Sequence, residues 1–255
     1  MNKILQKKIK KTLKPIFNKL GFITKEESQI DNLNKNKLLF TFFNNLQAIG
    51  FTPKHIVDIG ANHGNWTREA LIYFPESSYT LIEPQERLKK YFQDLLDINP
   101  KIKYFQVGAG QTNGTFKFTI VDRDDSCTFR ILEKDAEHQG FNQIDIPVIT
   151  LNDLIKNNNL ETPDIIKIDA EGLDLEVLKG ASEFFGKTEV FMVEAALFNK
   201  EFDNSFLKTI NFMDQNGYNL FDITDLNRPF KPEFLWLVEL VFIKKGGIID
   251  SFKIL

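Results

Sequence analysis

HIVDIGANHGNW, residues 55–66, reads as a short apolar strand, a glycine loop and the start of a helix. Gly60 and Gly64 permit turns and close approaches that a side chain would block, and Asp58 stands at the strand end beside them. The spacing is D-x-G-x-x-x-G. A dinucleotide loop would carry G-x-G-x-x-G, with a pyrophosphate on the helix N-terminus. Here Ala61 and Asn62 fill the positions around the missing glycine. S-adenosylmethionine has no phosphate and presents an amino-acid end with an ammonium, so an acid next to the loop suits it better. A structural turn without a ligand is the other reading of the same glycines.

Outward from this loop, strands and helices alternate. A helix is expected at 65–74, ended by Pro75, then a strand at 79–82, a helix at 86–98 and a strand at 103–107. Further on come a helix at 151–157, a strand at 165–168, a helix at 173–184, a strand at 190–193, a helix at 205–215 and strands at 218–221 and 235–244. This alternation predicts an α/β fold, a mainly parallel sheet with helices on both faces. Such sheets bind ligands at the carboxyl ends of their strands. Glu83-Pro84 closes the second strand, 25 residues beyond Asp58. An acid at about that separation accepts ribose hydroxyls, and its two oxygens can take both members of a cis-diol.

Between 108 and 150 the pattern changes. Residues 115–121 and 144–150 alternate apolar and polar, as a β-ribbon does, and the polar stretch 122–142 between them is the expected acceptor lid. His138 within it reads as a solvated loop residue and His55 as structural. Ahead of the strand–helix region, a helix is expected at 37–49, with Gly50 as its left-handed end, and residues 24–37 read as a polar linker. The chain then divides into 1–36, a basic helix and linker, and 37–255, a domain with the insertion at about 108–150.

Residues 1–20 carry seven lysines and no acid, with apolar residues at helical spacing. Two readings stand: a helix lying on an anionic membrane surface, or one docked on its own domain. Removing those seven from the 32 basic residues leaves 25 against 35 acids, so the body is acidic and no nucleic-acid partner is expected. The 42% hydrophobic and 26% charged composition fits a packed domain. Cys127 alone makes neither an internal disulfide nor a cysteine-based zinc site, which fits a cytoplasmic protein, at the inner face of the membrane if the first helix binds there. No apolar run is long enough to span a bilayer.

Three stretches together resemble the FkbM family of S-adenosylmethionine-dependent methyltransferases: VDIGANHGNWT with LIEPQERL, then IPVITLNDLI, then PDIIKIDAEGLDLEVLKGA. The resemblance covers roughly residues 54–195. It implies a class I, Rossmann-like methyltransferase fold, a seven-stranded sheet whose last, inserted strand is antiparallel, a role that 235–244 fits. It implies methyl transfer to oxygen, often on a sugar, glycan or natural product. By motif position Asp58, Gly60, Asn62 and Gly64 would contact the methionine part, Glu83 the ribose, and the loop at Gly108 would lie near the adenine.

Asp169 and Glu171 follow one strand and Glu194 another, at ends that face the same cleft. A sugar hydroxyl is a weak nucleophile, and a carboxylate in reach can take its proton. Asp169 is the candidate base, with Glu171 or Glu194 orienting the acceptor. The alternative reading is that Asp169 caps the helix beginning near Gly172 or only bonds nearby backbone amides. Two acids on adjacent strand ends are also the kind of site that holds Mg2+. Methylation of another small metabolite, or a catalytically silent cofactor-binding or membrane-associated partner protein, are the alternative functions.

Overall fold

The structure, a computed structural model, describes residues 25–123, 126–197, 206–228 and 232–252, with backbone only for 25–36. The lysine-rich stretch 1–20 lies outside the described residues. Among the described residues no helix is long and apolar enough to cross a membrane.

The chain enters on helix α1 (Lys25–Ala48). The stretch expected as a linker is its first half, since no glycine or proline interrupts residues 25–48 and the charged residues there only mask the periodicity. Gly50, at φ 77°, ends it as expected. There follow β1 (His55–Ile59), α2 (Asn65–Tyr73), β2 (Ser78–Ile82), a 3-10 turn (Glu86–Tyr91), α3 (Gln93–Ile98) and β3 (Ile102–Phe105). The single helix expected at 86–98 is broken at Phe92, which leaves helical geometry as its fully buried ring packs edge-on against Tyr104.

The insertion forms a second sheet: β4 (Gly108–Ala109), β5 (Gly114–Ile120) and β6 (Asn142–Ile149), with β6 central, parallel to β4 and antiparallel to β5. The polar stretch between β5 and β6 carries helix α4 (Glu133–Gln139). The main sheet resumes through α5 (Leu151–Asn157), β7 (Ile165–Ile168), α6 (Asp174–Gly180), β8 (Val190–Ala196), α7 (Phe206–Gln215), β9 (Tyr218–Asn227) and β10 (Leu237–Lys244). Its order is β3-β2-β1-β7-β8-β10-β9. β10 slots between β8 and β9, antiparallel to both, as the inserted last strand.

The parity of each strand sorts its side chains between two cores. Val57, Ile59, Ile166, Ile168, Phe191, Val193, Leu240 and Phe242 face one core, under α5, α6 and α7. Ile56, Ile165, Val190, Met192 and Val241 face the other, under α1, α2 and α3. Side chains alternate along a strand, so Asp58, Lys167, Glu194 and Glu239 all fall on this second face. The register aligns Asp58 with Lys167, Glu194 with Glu239, and Glu239 with Asp225. A row of charge therefore crosses the otherwise apolar sheet near the carboxyl ends of its parallel strands.

Candidate functional site

A cavity of about 680 Å3 opens at those strand ends. Its walls come from the β1 loop (Gly60, Asn62), the end of β2 (Glu83, Pro84), the start of the insertion (Gly108), and the β7 loop (Asp169, Glu171). Seven residues singled out in the sequence thus meet in one cleft. The other three do not line it: Asp58 is fully buried below the loop, Gly64 packs against Phe92, and Glu194 sits partly buried on β8.

The β1 loop is fixed by its neighbours. Gly60 has φ 75°, and a Cβ there would collide with the Asp169 carbonyl oxygen. The loop amides turn inward: those of Gly60 and Ala61 donate to the Ile82 carbonyl (2.9 and 3.1 Å) and that of Gly64 to Ala61 (2.7 Å). Gly60→Ala should therefore cost about 2–4 kcal/mol, the range for strain at a special φ combined with a backbone clash. Denaturant unfolding measures this, and an unchanged midpoint would refute the close approach.

Glu83 is 3% exposed, and its two oxygens are aimed by the backbone. The amide of Asn62 donates to Oε2 (3.0 Å) and that of Gln85 to Oε1 (2.9 Å). Burial pushes its pKa up, while those two amides, the Gln85 side chain and the charge of Lys167 pull it back. A carboxylate has about four lone-pair sites, so with these donors in place Glu83 can still accept from a further hydroxyl.

Lys167 is the centre of the opposite half. Sequence reading passed over it, although a lone lysine inside the buried strand IIKI is itself a signal. Its Nζ meets Asp169 Oδ2 at 3.2 Å, the Gly60 carbonyl at 3.4 Å and Asp58 Oδ1 at 3.5 Å. Burial works against its charge, but Asp169, Asp58 and Glu239 outweigh burial and raise its pKa. One ammonium thus ties the β1 loop to the carboxylate expected as base. Asp58 also accepts from Thr67 Oγ1 (2.6 Å), so it braces α2 under the loop.

Asp169 is not a helix cap. The cap position before α6 is Leu173, which makes no side-chain cap bond, and the Asp174 carboxylate instead holds the preceding loop, accepting from the amides of Ala170 (2.8 Å) and Gly172 (3.2 Å). Between them Glu171 takes a left-handed φ of 49°, rare for a residue with a Cβ and a conformation that surrounding structure must impose. Part of the imposition comes from the insertion, where Thr128 Oγ1 donates to the Glu171 carbonyl (3.1 Å).

Further carboxyls crowd Asp169. Glu194 is pushed well up by burial and by the charges of Asp169, Asp174 and Glu171. Asp174 and Glu239 are each pushed up to about 7, chiefly by burial. For Glu239 the sign is clear. Between its ordinary 4.5 and about 7 the folded state keeps a proton that the unfolded chain has released, so its contribution to stability is lost as pH rises through that window. A glutamine is neutral throughout and can still accept from Thr224. Glu239→Gln should narrow the difference in melting temperature between pH 5 and pH 8, and an unchanged difference would contradict the assignment.

Asp225, on the part of β9 that extends beyond the expected 218–221, lines the cleft, as do Trp66 and, from the insertion, Phe118, Arg123, Cys127 and Phe129. Asp225 was hidden because its strand is longer than its apolar run. Among the described residues no group of three or more His, Cys, Asp or Glu side chains is placed to hold a metal ion.

Residues 58–220 match the family described as the methyltransferase FkbM domain. Among solved structures, the chain is similar to a methyltransferase FkbM from Methylobacillus flagellatus KT, at 19% identity and a TM-score of 0.51. That match covers 74% of this chain and 43% of the other, so the chain spans less than half that protein's length. It is also similar to the 1,6-didemethyltoxoflavin-N1-methyltransferase of Burkholderia thailandensis, solved with S-adenosylhomocysteine (9% identity, TM-score 0.47, 86% and 83% of the two chains). A third similar structure is the precorrin-6y C5,15-methyltransferase of Geobacter metallireducens GS-15 (13%, 0.45, 76% and 81%). No curated protein matches. At these identities the likeness is one of fold, the class I Rossmann-like fold.

Proposed function

Because the chain belongs to the FkbM methyltransferase family, we propose that it uses S-adenosylmethionine to methylate a hydroxyl of a sugar or glycan. The observation that carries this reading is the division of one cleft about the β1 loop. Glu83 offers two aimed carboxylate oxygens on one side, and the Lys167–Asp169 pair stands on the other. Glu83 would hold the ribose hydroxyls, Gly60 and Asn62 would border the amino-acid end, and Gly108 the adenine. When bound, S-adenosylmethionine supplies an electrophilic methyl group on a sulfonium.

The chain's own task is alignment and proton removal. Lys167 holds Asp169 Oδ2, and Oδ1 takes no hydrogen bond among the described residues. Oδ1 is thus available to accept the proton of an acceptor hydroxyl as its oxygen becomes nucleophilic. Glu171 and Asp225 border the same space and offer acceptors for neighbouring hydroxyls. A polyhydroxylated substrate matches walls rich in carboxylates, since each ionised oxygen only accepts.

The test is incubation with isotopically labelled S-adenosylmethionine and a panel of sugars, glycans and unrelated hydroxylated metabolites, followed by mass spectrometry. Label on a sugar oxygen is the expected result. Label confined to the other metabolites would overturn the choice of acceptor, and no label on any compound would favour a silent binding protein.

A further inference from the structure

Among the described residues, Glu171 alone holds a left-handed φ without being glycine or asparagine. Asparagine takes that region readily, whereas a glutamate seldom does. Gly172, next in the chain, also has a positive φ, of 93°. The turn therefore asks for glycine twice and finds it once. Strain of this kind gathers at functional sites, where the surrounding structure imposes it. The acid that takes the strain lines the cleft, and its charge acts on Glu194 together with that of Asp169.

The turn is held from two sides. From within the loop, the Asp174 carboxylate accepts from the amides of Ala170 and Gly172. The Glu171 carbonyl between them is met from the insertion, by Thr128 Oγ1 at 3.1 Å. The direction of that bond is fixed. A carbonyl only accepts, and the Thr128 hydroxyl oxygen itself accepts from the amide of Arg130 (3.2 Å). Thr128 is anchored in turn, since its amide and carbonyl bond to the backbone of Thr119 on β5 (3.2 and 2.8 Å). One hydroxyl thus fastens the strained turn to the sheet of the insertion.

We propose that Thr128 is a positioning residue for the acceptor. Through the Glu171 carbonyl it keeps the turn left-handed, so that the Glu171 carboxylate meets an acceptor hydroxyl beside the one that Asp169 deprotonates. This rests on the sugar reading above and assigns the insertion a share in recognising that substrate.

The test is steady-state methyl transfer from labelled S-adenosylmethionine to hexose, N-acetylhexosamine and 6-deoxyhexose glycosides, with constants taken on the one that carries most label. The proteins are the wild type, Thr128→Val, Thr128→Ser, Glu171→Ala and the double variant Thr128→Val with Glu171→Ala. Valine keeps the shape of threonine without the hydroxyl, and serine keeps the hydroxyl. Loss of a hydrogen bond to a charged group predicts that Glu171→Ala raises KM for the sugar about tenfold. Thr128→Val should raise it to a similar extent, with kcat and the affinity for S-adenosylhomocysteine close to wild type, and Thr128→Ser should restore it. Because one residue acts through the other, the double variant should be no worse than Glu171→Ala alone. An unchanged KM in Thr128→Val would overturn the proposal, and so would losses that add in the double variant. A fall in S-adenosylhomocysteine affinity that matches the rise in KM, or no rescue by serine, would show a merely structural role and overturn it too. Label on none of the glycosides, in a wild type that binds S-adenosylhomocysteine, would instead overturn the sugar reading and this proposal with it.

Discussion

Lys167→Met is expected to destabilise the fold by about 3–5 kcal/mol, the usual effect of removing one partner from a buried ion pair, and to abolish methyl transfer in whatever protein folds. Methionine fills much the same space, so the loss would come from charge. Asp58 is fully buried with Oδ1 lacking any hydrogen bond, and its nearest compensation is the ammonium at 3.5 Å. Asp169 and Glu239 lean on the same charge. Without it, three carboxylates on one face of the sheet must repel each other or take up protons, and α2 loses the brace that Asp58 gives through Thr67. Urea unfolding followed by circular dichroism measures the change. Wild-type stability with wild-type turnover would show that the row of charge is incidental.

Asp169→Asn should leave a folded protein whose kcat falls by about 10²–10⁴, the range for loss of a general base. The amide carbonyl can still accept from Lys167, so the loop between Asp169 and Asp174 should keep its shape, and Asp174 goes on binding the amides of Ala170 and Gly172. What disappears is the capacity to take the acceptor's proton. KM for the acceptor should change far less than kcat, because the lost interaction belongs to the transition state. Near-normal kcat in a folded variant would remove Asp169 from the chemistry and leave alignment alone to explain turnover.

The parts of this arrangement that depend on local pattern were legible in the sequence. The β1 loop, the strand IIKI, the helix at 151–157 and the antiparallel ribbon lie where their periodicity and glycines put them, since each is decided within a few residues. The acids at three strand ends were found because parallel sheets place ligands there. What could not be read are facts of register. Asp58 seemed to stand beside the ligand because it precedes Gly60, yet strand parity turns it inward against Lys167, and which strands are neighbours is a long-range matter. Asp225 enters the cleft only because β9 pairs with β10 well past its apolar start. The charge-rich first half of α1 and the break at Phe92 follow from helix continuity and from burial of one ring, and neither leaves a mark in hydrophobic spacing.

The most direct test of the central claim, that this cleft is an S-adenosylmethionine site read by Glu83, is a calorimetric titration with S-adenosylhomocysteine of the wild type and of Glu83→Gln. Replacing one carboxylate oxygen by an amide nitrogen sets a donor against the Asn62 or Gln85 amide and removes an acceptor from the ribose diol. Saturable one-site binding by the wild type, weakened about tenfold or more in the variant, is the predicted result. No binding by the wild type, or the same affinity in both proteins, would contradict it.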